Sequence, residues 1–171
     1  MRFRKLILEN FQTYKYLEYD FENKPLQVQG INLSDDSQES NGAGKTGFLN
    51  GIEYAVTGGN SRGERDVNLI TFGEKSSKIE LFIDCDNRKE TLHIEWKINL
   101  KGSNKLELNT IKYGEEKQTK REFSSINDGK KSILSWMDFS KDDLLNYYLI
   151  SASKFTSFYK SSNADKIALI N

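Results

Sequence analysis

The stretch Ser40-Asn41-Gly42-Ala43-Gly44-Lys45-Thr46 constrains this chain more than any other part of its sequence. Its two glycines let the backbone approach an anion with the N–H groups turned inward, where a Cβ would obstruct. The lysine ammonium can lie beside the outer phosphates of a nucleotide, and the threonine hydroxyl can bind the accompanying magnesium ion. The pattern predicts a phosphate-binding loop, with Asn41, Gly42, Ala43, Gly44, Lys45 and Thr46 as ligand-binding residues and Thr46 as the metal ligand.

A helix is expected directly after this loop, because apolar residues recur there at helical spacing. They are Phe48, Leu49, Ile52, Ala55 and Val56. The N-terminus of a helix favours a negative group by about 0.3–1 kcal/mol, and by up to about 2 kcal/mol when partly buried. A strand over Pro25–Gly30 is predicted before the loop, since Leu26 and Val28 alternate with polar residues and Gly30 offers a turn.

The loop departs from the full phosphate-loop pattern, which has a glycine where this chain has Glu39. In one interpretation Gly30 makes the missing turn, and residues 31–39 are an insertion before the loop. In the other, residues 31–39 are an ordinary solvated loop. In a third interpretation there is no phosphate site, and the glycines form a turn before an ordinary helix.

Composition excludes several classes of protein. A chain of 171 residues suits one domain, and 25 basic residues against 25 acidic ones give no general attraction to nucleic acid or to an anionic membrane. The single cysteine, Cys85, excludes an internal disulfide and a cysteine-based zinc site. The apolar run Leu6–Leu8 is too short for a signal peptide, and no stretch approaches the roughly 18 apolar residues of a membrane span. We expect a soluble, cytoplasmic protein without a membrane partner.

Alternating apolar residues predict an antiparallel β-meander in the middle of the chain. Two earlier strands are expected at Arg2–Phe11 and Tyr14–Phe21. The predicted strands of the meander are Lys78–Asp84, Thr91–Leu100, Leu106–Lys112 and a last one near Lys120–Phe123. The only histidine, His93, falls on the polar side of its strand with no second histidine or cysteine in phase. We therefore predict a surface residue without a catalytic or metal-binding role.

The last third of the chain is expected to be mainly helical, and one short element is expected before the meander. Asp66–Ile70 is predicted to be a short strand or a turn, and Gly129–Phe139 a helix with one apolar face. Further along, the pattern predicts a capped helix from Ser140, a return strand at Leu149–Ser151, an aromatic core cluster at Phe155–Tyr159 and a helix over Asn163–Asn171.

Four segments together resemble the N-terminal lobe of the SbcC/SMC-type ATPase heads of double-strand-break repair. They are Leu6–Phe11, Gly30-x-Asn32 with the glycine-rich loop, Asn68–Glu74, and Phe155-x-x-Phe158 before an amphipathic helix. The resemblance implies an α/β P-loop NTPase half-head with N-terminal strands, a phosphate-loop helix, an antiparallel β-meander and C-terminal helices. Residues 1–160 would form the ATPase lobe, and residues 161–171 would begin a helix leading into a coiled coil.

The same resemblance implies ATP and Mg²⁺ as cofactors. It also implies a C-terminal ATPase lobe or second head, a nuclease subunit and DNA as partners. Catalysis would be incomplete in this chain, because the family's signature motif and catalytic carboxylate lie in the C-terminal lobe. Ala152 also stands where the family has the glutamine of its Q-loop. Hydrolysis of ATP would therefore need the missing lobe.

Two other functions remain open from the sequence. The chain could be a non-catalytic assembly module with weak or no nucleotide binding, which Glu39 and Ala152 favour. It could instead be a small-molecule kinase, although the β-meander after the helix and the lack of an arginine-rich lid argue against this.

Overall fold

The structure is a computed structural model that describes residues 1–29, 44–60 and 63–139. The strands are β1 (Arg2–Phe11), β2 (Tyr14–Asp20), β3 (Ser76–Cys85), β4 (Glu90–Asn99), β5 (Lys105–Lys112) and β6 (Gln118–Lys120). The helices are α1 (Lys45–Thr57) and α2 (Ile126–Met137), with a 3₁₀ turn at Asp66–Leu69. All six strands form one antiparallel sheet in the order β2-β1-β3-β4-β5-β6. The described part is thus a mixed α/β fold with an antiparallel sheet and two helices.

The sheet has one apolar face and one polar face, as the alternation predicts. The apolar face carries Leu6, Leu8, Ile79, Leu81, Ile83, Leu92, Ile94, Trp96, Ile98 and Leu108, each at most 1% exposed. Their cross-strand register keeps them together, with Leu81 opposite both Leu6 and Ile94. Both helices contact this face, so the hydrophobic core lies between the sheet and the helices.

Helix α1 lies close to the sheet because a glycine faces the strands. A Cβ on Gly51 would lie 2.7 Å from Cδ2 of the fully buried Leu8. At the other half of the helix, the indole Nε1 of Trp96 donates a hydrogen bond to the Ala55 carbonyl at 3.0 Å. The ring of Tyr54 meets the same indole edge-on, with the centroids 5.4 Å apart. The position of α1 over the sheet is therefore fixed along its length.

Helix α2 is held at both ends by side chains. Ser125 caps its N-terminus by accepting from the Asp128 amide at 3.2 Å. Arg88, in the turn between β3 and β4, donates to the Trp136 carbonyl at 2.6 Å near the C-terminus. Lys130 donates to the carbonyl of Gly58, the residue that ends α1, at 2.8 Å. The two helices are thus joined to each other as well as to the sheet.

Most of the predicted elements within the described residues are confirmed, with shifted bounds. The last strand of the meander lies at Gln118–Lys120 rather than near Lys120–Phe123, and α2 begins three residues before Gly129. Asp66–Leu69 forms a 3₁₀ turn, with Ile70 bridging to Phe11.

The predicted strand Pro25–Gly30 is wrong for its described residues 25–29, which form no strand. A strand needs a hydrogen-bonded neighbour, and these residues pair with none of the six strands. Leu26 is instead 46% exposed. The predicted elements from Ser140 onward, Gly30 and the segment 31–39 lie outside the described residues. Within the described ranges, no helix is both long and apolar enough to cross a membrane.

Candidate phosphate-binding site

The start of α1 has the backbone that an anion site needs. Gly44 immediately precedes the helix with φ 81° and ψ 0°, a left-handed conformation that costs other L-residues roughly 1–2 kcal/mol. As the N-cap residue, Gly44 makes no side-chain hydrogen bond to the helix. Lys45 and Thr46 are its first two residues, and Thr46 is exposed. The N-cap position of α1 therefore supplies no side-chain acceptor of its own, where Ser, Thr, Asp or Asn usually does so.

The turn between β1 and β2 packs against the first two turns of α1. The Tyr14 hydroxyl donates to the Gly44 carbonyl at 3.0 Å, and Gln12 Oε1 accepts from the side-chain Nδ2 of Asn50 at 3.3 Å. A Cβ on Gly47 would lie 2.9 Å from Gln12 Oε1 and 3.1 Å from the Tyr14 ring. A side chain at position 47 would therefore displace Gln12 and press on the Tyr14 ring. A glycine inside a helix is a signal in the sequence that another segment packs closely there, and at Gly47 that segment is the β1–β2 turn.

The backbone of this turn is held in an uncommon conformation. Asn10 and Gln12 have φ of 50° and 51°, on either side of the fully buried Phe11. Non-glycine residues in this region cost about 1–3 kcal/mol each and persist only where the surroundings hold them. Here Thr71 holds both, since its amide donates to the Asn10 carbonyl and its hydroxyl to the Gln12 carbonyl, each at 2.9 Å. Strained backbone of this kind is often found at functional sites.

The structure places the second half of the predicted loop as expected. Gly44, Lys45 and Thr46 lie together at the N-terminus of α1, and Phe48, Ile52, Ala55 and Val56 are buried while Leu49 is 55% exposed. Asn41, Gly42, Ala43, Glu39 and Ala152 lie outside the described residues. The sequence predicts the strands on either side of the β1–β2 turn but does not assign this turn to the site, although Tyr14 reaches the loop from 30 positions away.

The prediction that His93 is a surface residue is wrong. His93 lies on the polar face of the sheet but is only 7% exposed, because the Phe82 ring stacks on it with the centroids 4.2 Å apart and an interplanar angle of 3°. Its Nε2 lies 2.8 Å from Glu80 Oε2. With Glu95 these residues form a group whose potential ligand atoms lie within 4.8 Å of one another. Lys78 already contacts both carboxylates, at 2.7 and 3.6 Å, so the group is an ion-pair network.

This network makes the free energy of unfolding depend on pH in the acidic range. Hydrogen bonds from His93 and Lys78 hold the pKa of Glu80 at about 2. Since that is below the unfolded value of about 4.3, the stabilisation is present above about pH 4.3 and is lost as the pH falls toward 2. We expect Glu80→Gln to lower the free energy of unfolding at pH 7 by at most about 3 kcal/mol, with the difference from the wild type vanishing near pH 2. Urea denaturation across this pH range measures it.

Glu107→Gln is the matched control, because Glu107 is 52% exposed and lies 3.8 Å from Lys120. Its effect should be small at every pH, as for other surface pairs. A Glu80→Gln deficit that stays constant from pH 7 to pH 2 would contradict the role given to this network.

Comparisons with known proteins identify relatives of the chain. No protein-family model matches it. It is 30% identical over 150 residues to the DNA replication and repair protein RecF of Carboxydothermus hydrogenoformans, which covers 88% of this chain and 36% of that protein. It is 32% identical over 111 residues to the RecF protein of Desulforamulus reducens, covering 65% of this chain and 27% of that protein.

A solved structure titled as the recombination mediator protein RecF with ATP in the RecFOR pathway is similar with a TM-score of 0.46 and 20% identity. That match covers 63% of this chain and 27% of the solved one. The chain spans about a third of the length of the first relative and less of the second. It is thus similar in sequence to part of the DNA replication and repair proteins called RecF.

Proposed function

We propose that this chain binds ATP with Mg²⁺ at the N-terminus of α1, as part of a RecF-like P-loop ATPase of DNA repair and recombination. One observation carries the proposal. The segment that reads Ser-Asn-Gly-Ala-Gly-Lys-Thr leads into a 13-residue helix through a left-handed glycine, which occupies the N-cap position. Such an end combines N–H donors with the positive end of the helix dipole.

Each described residue of the loop has a role in this proposal. The amides at the start of α1 bind phosphate oxygens, and the Lys45 ammonium lies beside the outer phosphates. The exposed Thr46 hydroxyl binds the magnesium ion. Asn41, Gly42 and Ala43 complete the phosphate-binding loop in the proposal.

The sequence relatives favour a RecF-like role over the SbcC-type role that the resemblance implied. The two relatives are named as DNA replication and repair proteins, and we infer the same process for this chain. DNA and a second ATPase lobe or second head are its proposed partners. A nuclease subunit and a coiled coil, which belong to the SbcC-type interpretation, gain no support from the names of these relatives.

Hydrolysis is proposed to need more than this chain. Phosphoryl transfer requires a group that orients the attacking water and further groups that stabilise the transition state. The first relative is about three times as long as its matched part, and the second is nearly four times as long. We therefore propose that residues beyond this segment, together with a second lobe, complete the catalytic site.

The test is the effect of ATP·Mg²⁺ on thermal stability. At a ligand concentration 100 times the dissociation constant, binding adds about 2.7 kcal/mol to the free energy of unfolding. For a domain of this size, that raises the melting temperature by several degrees. We expect Lys45→Ala to abolish the rise, since it removes the ammonium from the phosphate site. Lys117→Ala, in the exposed connection between β5 and β6, should leave it intact.

The other candidate functions give different results. If millimolar ATP·Mg²⁺ leaves the melting temperature of the wild type unchanged, the assembly-module hypothesis replaces nucleotide binding. Transfer of phosphate to a small-molecule acceptor would instead indicate a kinase.

A further inference from the structure

We infer that Tyr14 is a positioning residue of this site, whose hydroxyl holds the peptide unit joining Gly44 to Lys45 in the orientation that binds phosphate. The inference rests on the proposed function. It adds a residue from β2 to a site that the loop sequence places entirely at the start of α1.

The contact is specific to one atom of the loop. Tyr14 is the first residue of β2, and its half-buried hydroxyl donates to the Gly44 carbonyl at 3.0 Å. The same carbonyl accepts from the amides of Gly47 at 2.8 Å and Phe48 at 3.4 Å. The carbonyl of Gly44 is thereby held from the sheet as well as from the helix.

Fixing this carbonyl also fixes the amide that follows it. A peptide unit is planar, and its C=O and N–H bonds point in opposite directions when it is trans. The Gly44 carbonyl points into α1, so the Lys45 N–H points out of the helix end, where the proposed phosphate lies. A hydroxyl bonded to the carbonyl therefore orients the N–H without touching the ligand.

Tyr14 is itself held firmly enough to do this. Its backbone pairs with Phe11 of β1, and the Thr71 hydroxyl lies 3.4 Å from its carbonyl and 2.9 Å from that of Gln12. Burial raises the pKa of the Tyr14 phenol, so its hydroxyl stays protonated and available as a donor at neutral pH. A fixed donor limits the motion of a left-handed glycine, which has few steric restraints of its own.

A purely structural role for Tyr14 is the competing explanation, because its ring also packs over Gly47. Tyr14→Phe separates the two roles, since phenylalanine keeps the ring and lacks the hydroxyl. Tyr16→Phe is the matched control. Tyr16 lies on the same strand, is 62% exposed, and donates to Glu18 at 2.6 Å, away from α1.

Two measurements on the whole chain test the inference. Calorimetric titration with ATP·Mg²⁺ should give Tyr14→Phe a dissociation constant about three- to tenfold above that of the wild type, as expected for the loss of one hydrogen bond. Backbone ¹⁵N order parameters, recorded without nucleotide, should fall at Lys45 and Thr46 in Tyr14→Phe. Tyr16→Phe should match the wild type in both measurements.

The outcomes separate this inference from the proposed function. Wild-type binding with an unchanged affinity in Tyr14→Phe overturns the inference and leaves the function standing. A weaker affinity with unchanged order parameters also overturns it, because Tyr14 would then act on the ligand directly. If the wild type binds no ATP·Mg²⁺, the function fails. In that case, lower order parameters in Tyr14→Phe would still support the inference that the Tyr14 hydroxyl restrains the Gly44–Lys45 peptide unit. Unchanged order parameters would overturn that inference.

Discussion

Trp96→Ala is expected to lower the free energy of unfolding by about 3–5 kcal/mol, the usual cost of removing a buried aromatic side chain. The Trp96 indole is 1% exposed and lies between the sheet and both helices. Its Nε1 donates to the Ala55 carbonyl, the Tyr54 ring packs on it, and the Lys130 ammonium lies 5.6 Å from its ring centroid. The substitution therefore leaves a cavity at the point where α1 is joined to the sheet. Urea denaturation followed by circular dichroism measures the loss.

The control for this substitution is an aromatic side chain that is not buried. Phe72 is fully exposed on the turn before β3, so Phe72→Ala should change the stability by less than about 0.5 kcal/mol. Domains of this kind are stable by about 5–15 kcal/mol, and Trp96→Ala can bring such a chain close to unfolding. Trp96→Phe, which keeps most of the volume, should lose less and keep the transition measurable. Equal stabilities for Trp96→Ala and Phe72→Ala would contradict the core described here.

Gly58→Ala is expected to destabilise the chain by about 2–4 kcal/mol, through two separate costs. Gly58 ends α1 with φ 62°, a left-handed conformation that strains alanine. A Cβ there would also lie 2.3 Å from Lys130 Cε and 2.7 Å from Trp96 Cζ2. The lysine can move aside, but the buried indole cannot. The substitution should therefore push α1 away from the sheet as well as strain the backbone.

Gly63→Ala isolates the cost of strain, because Gly63 has a similar φ of 68° and no described residue lies within 4 Å of the added Cβ. It should cost only about 1–2 kcal/mol. The difference between the two variants, measured by urea denaturation, is the cost of the contact with Trp96. Equal losses would contradict a close packing of α1 on β4.

The strands and helix α1 could be predicted because their signals are local. Alternation at period two located β3, β4 and β5 to within a few residues, and helical spacing after Thr46 located α1. The start of α2 also has a local signal, which lies outside the apolar pattern. Ser125 and Asp128 have the spacing of a helix-capping pair, but the apolar period alone suggested a start at Gly129.

The parts that could not be predicted depend on contacts between distant residues. Nothing in the order of Leu26 and Val28 reveals that none of the six described strands pairs with them. The burial of His93 depends on Phe82, which meets it only after β3 and β4 pair. At the candidate site, the sequence identified Gly44, Lys45 and Thr46 from their own spacing. It could not place Tyr14 there, since that contact exists only when β1 and β2 pack against α1.

The most direct test of the central claim is to map where ATP·Mg²⁺ binds. Titration of the ¹⁵N-labelled chain should shift the amide signals of Gly44, Lys45 and Thr46 first and most strongly. Signals of β6, at the far edge of the sheet, should stay in place. The same titration of Lys45→Ala should shift none of them at equal concentrations. Saturable shifts that leave these three amides unchanged, or that persist in Lys45→Ala, would contradict a phosphate site at the start of α1.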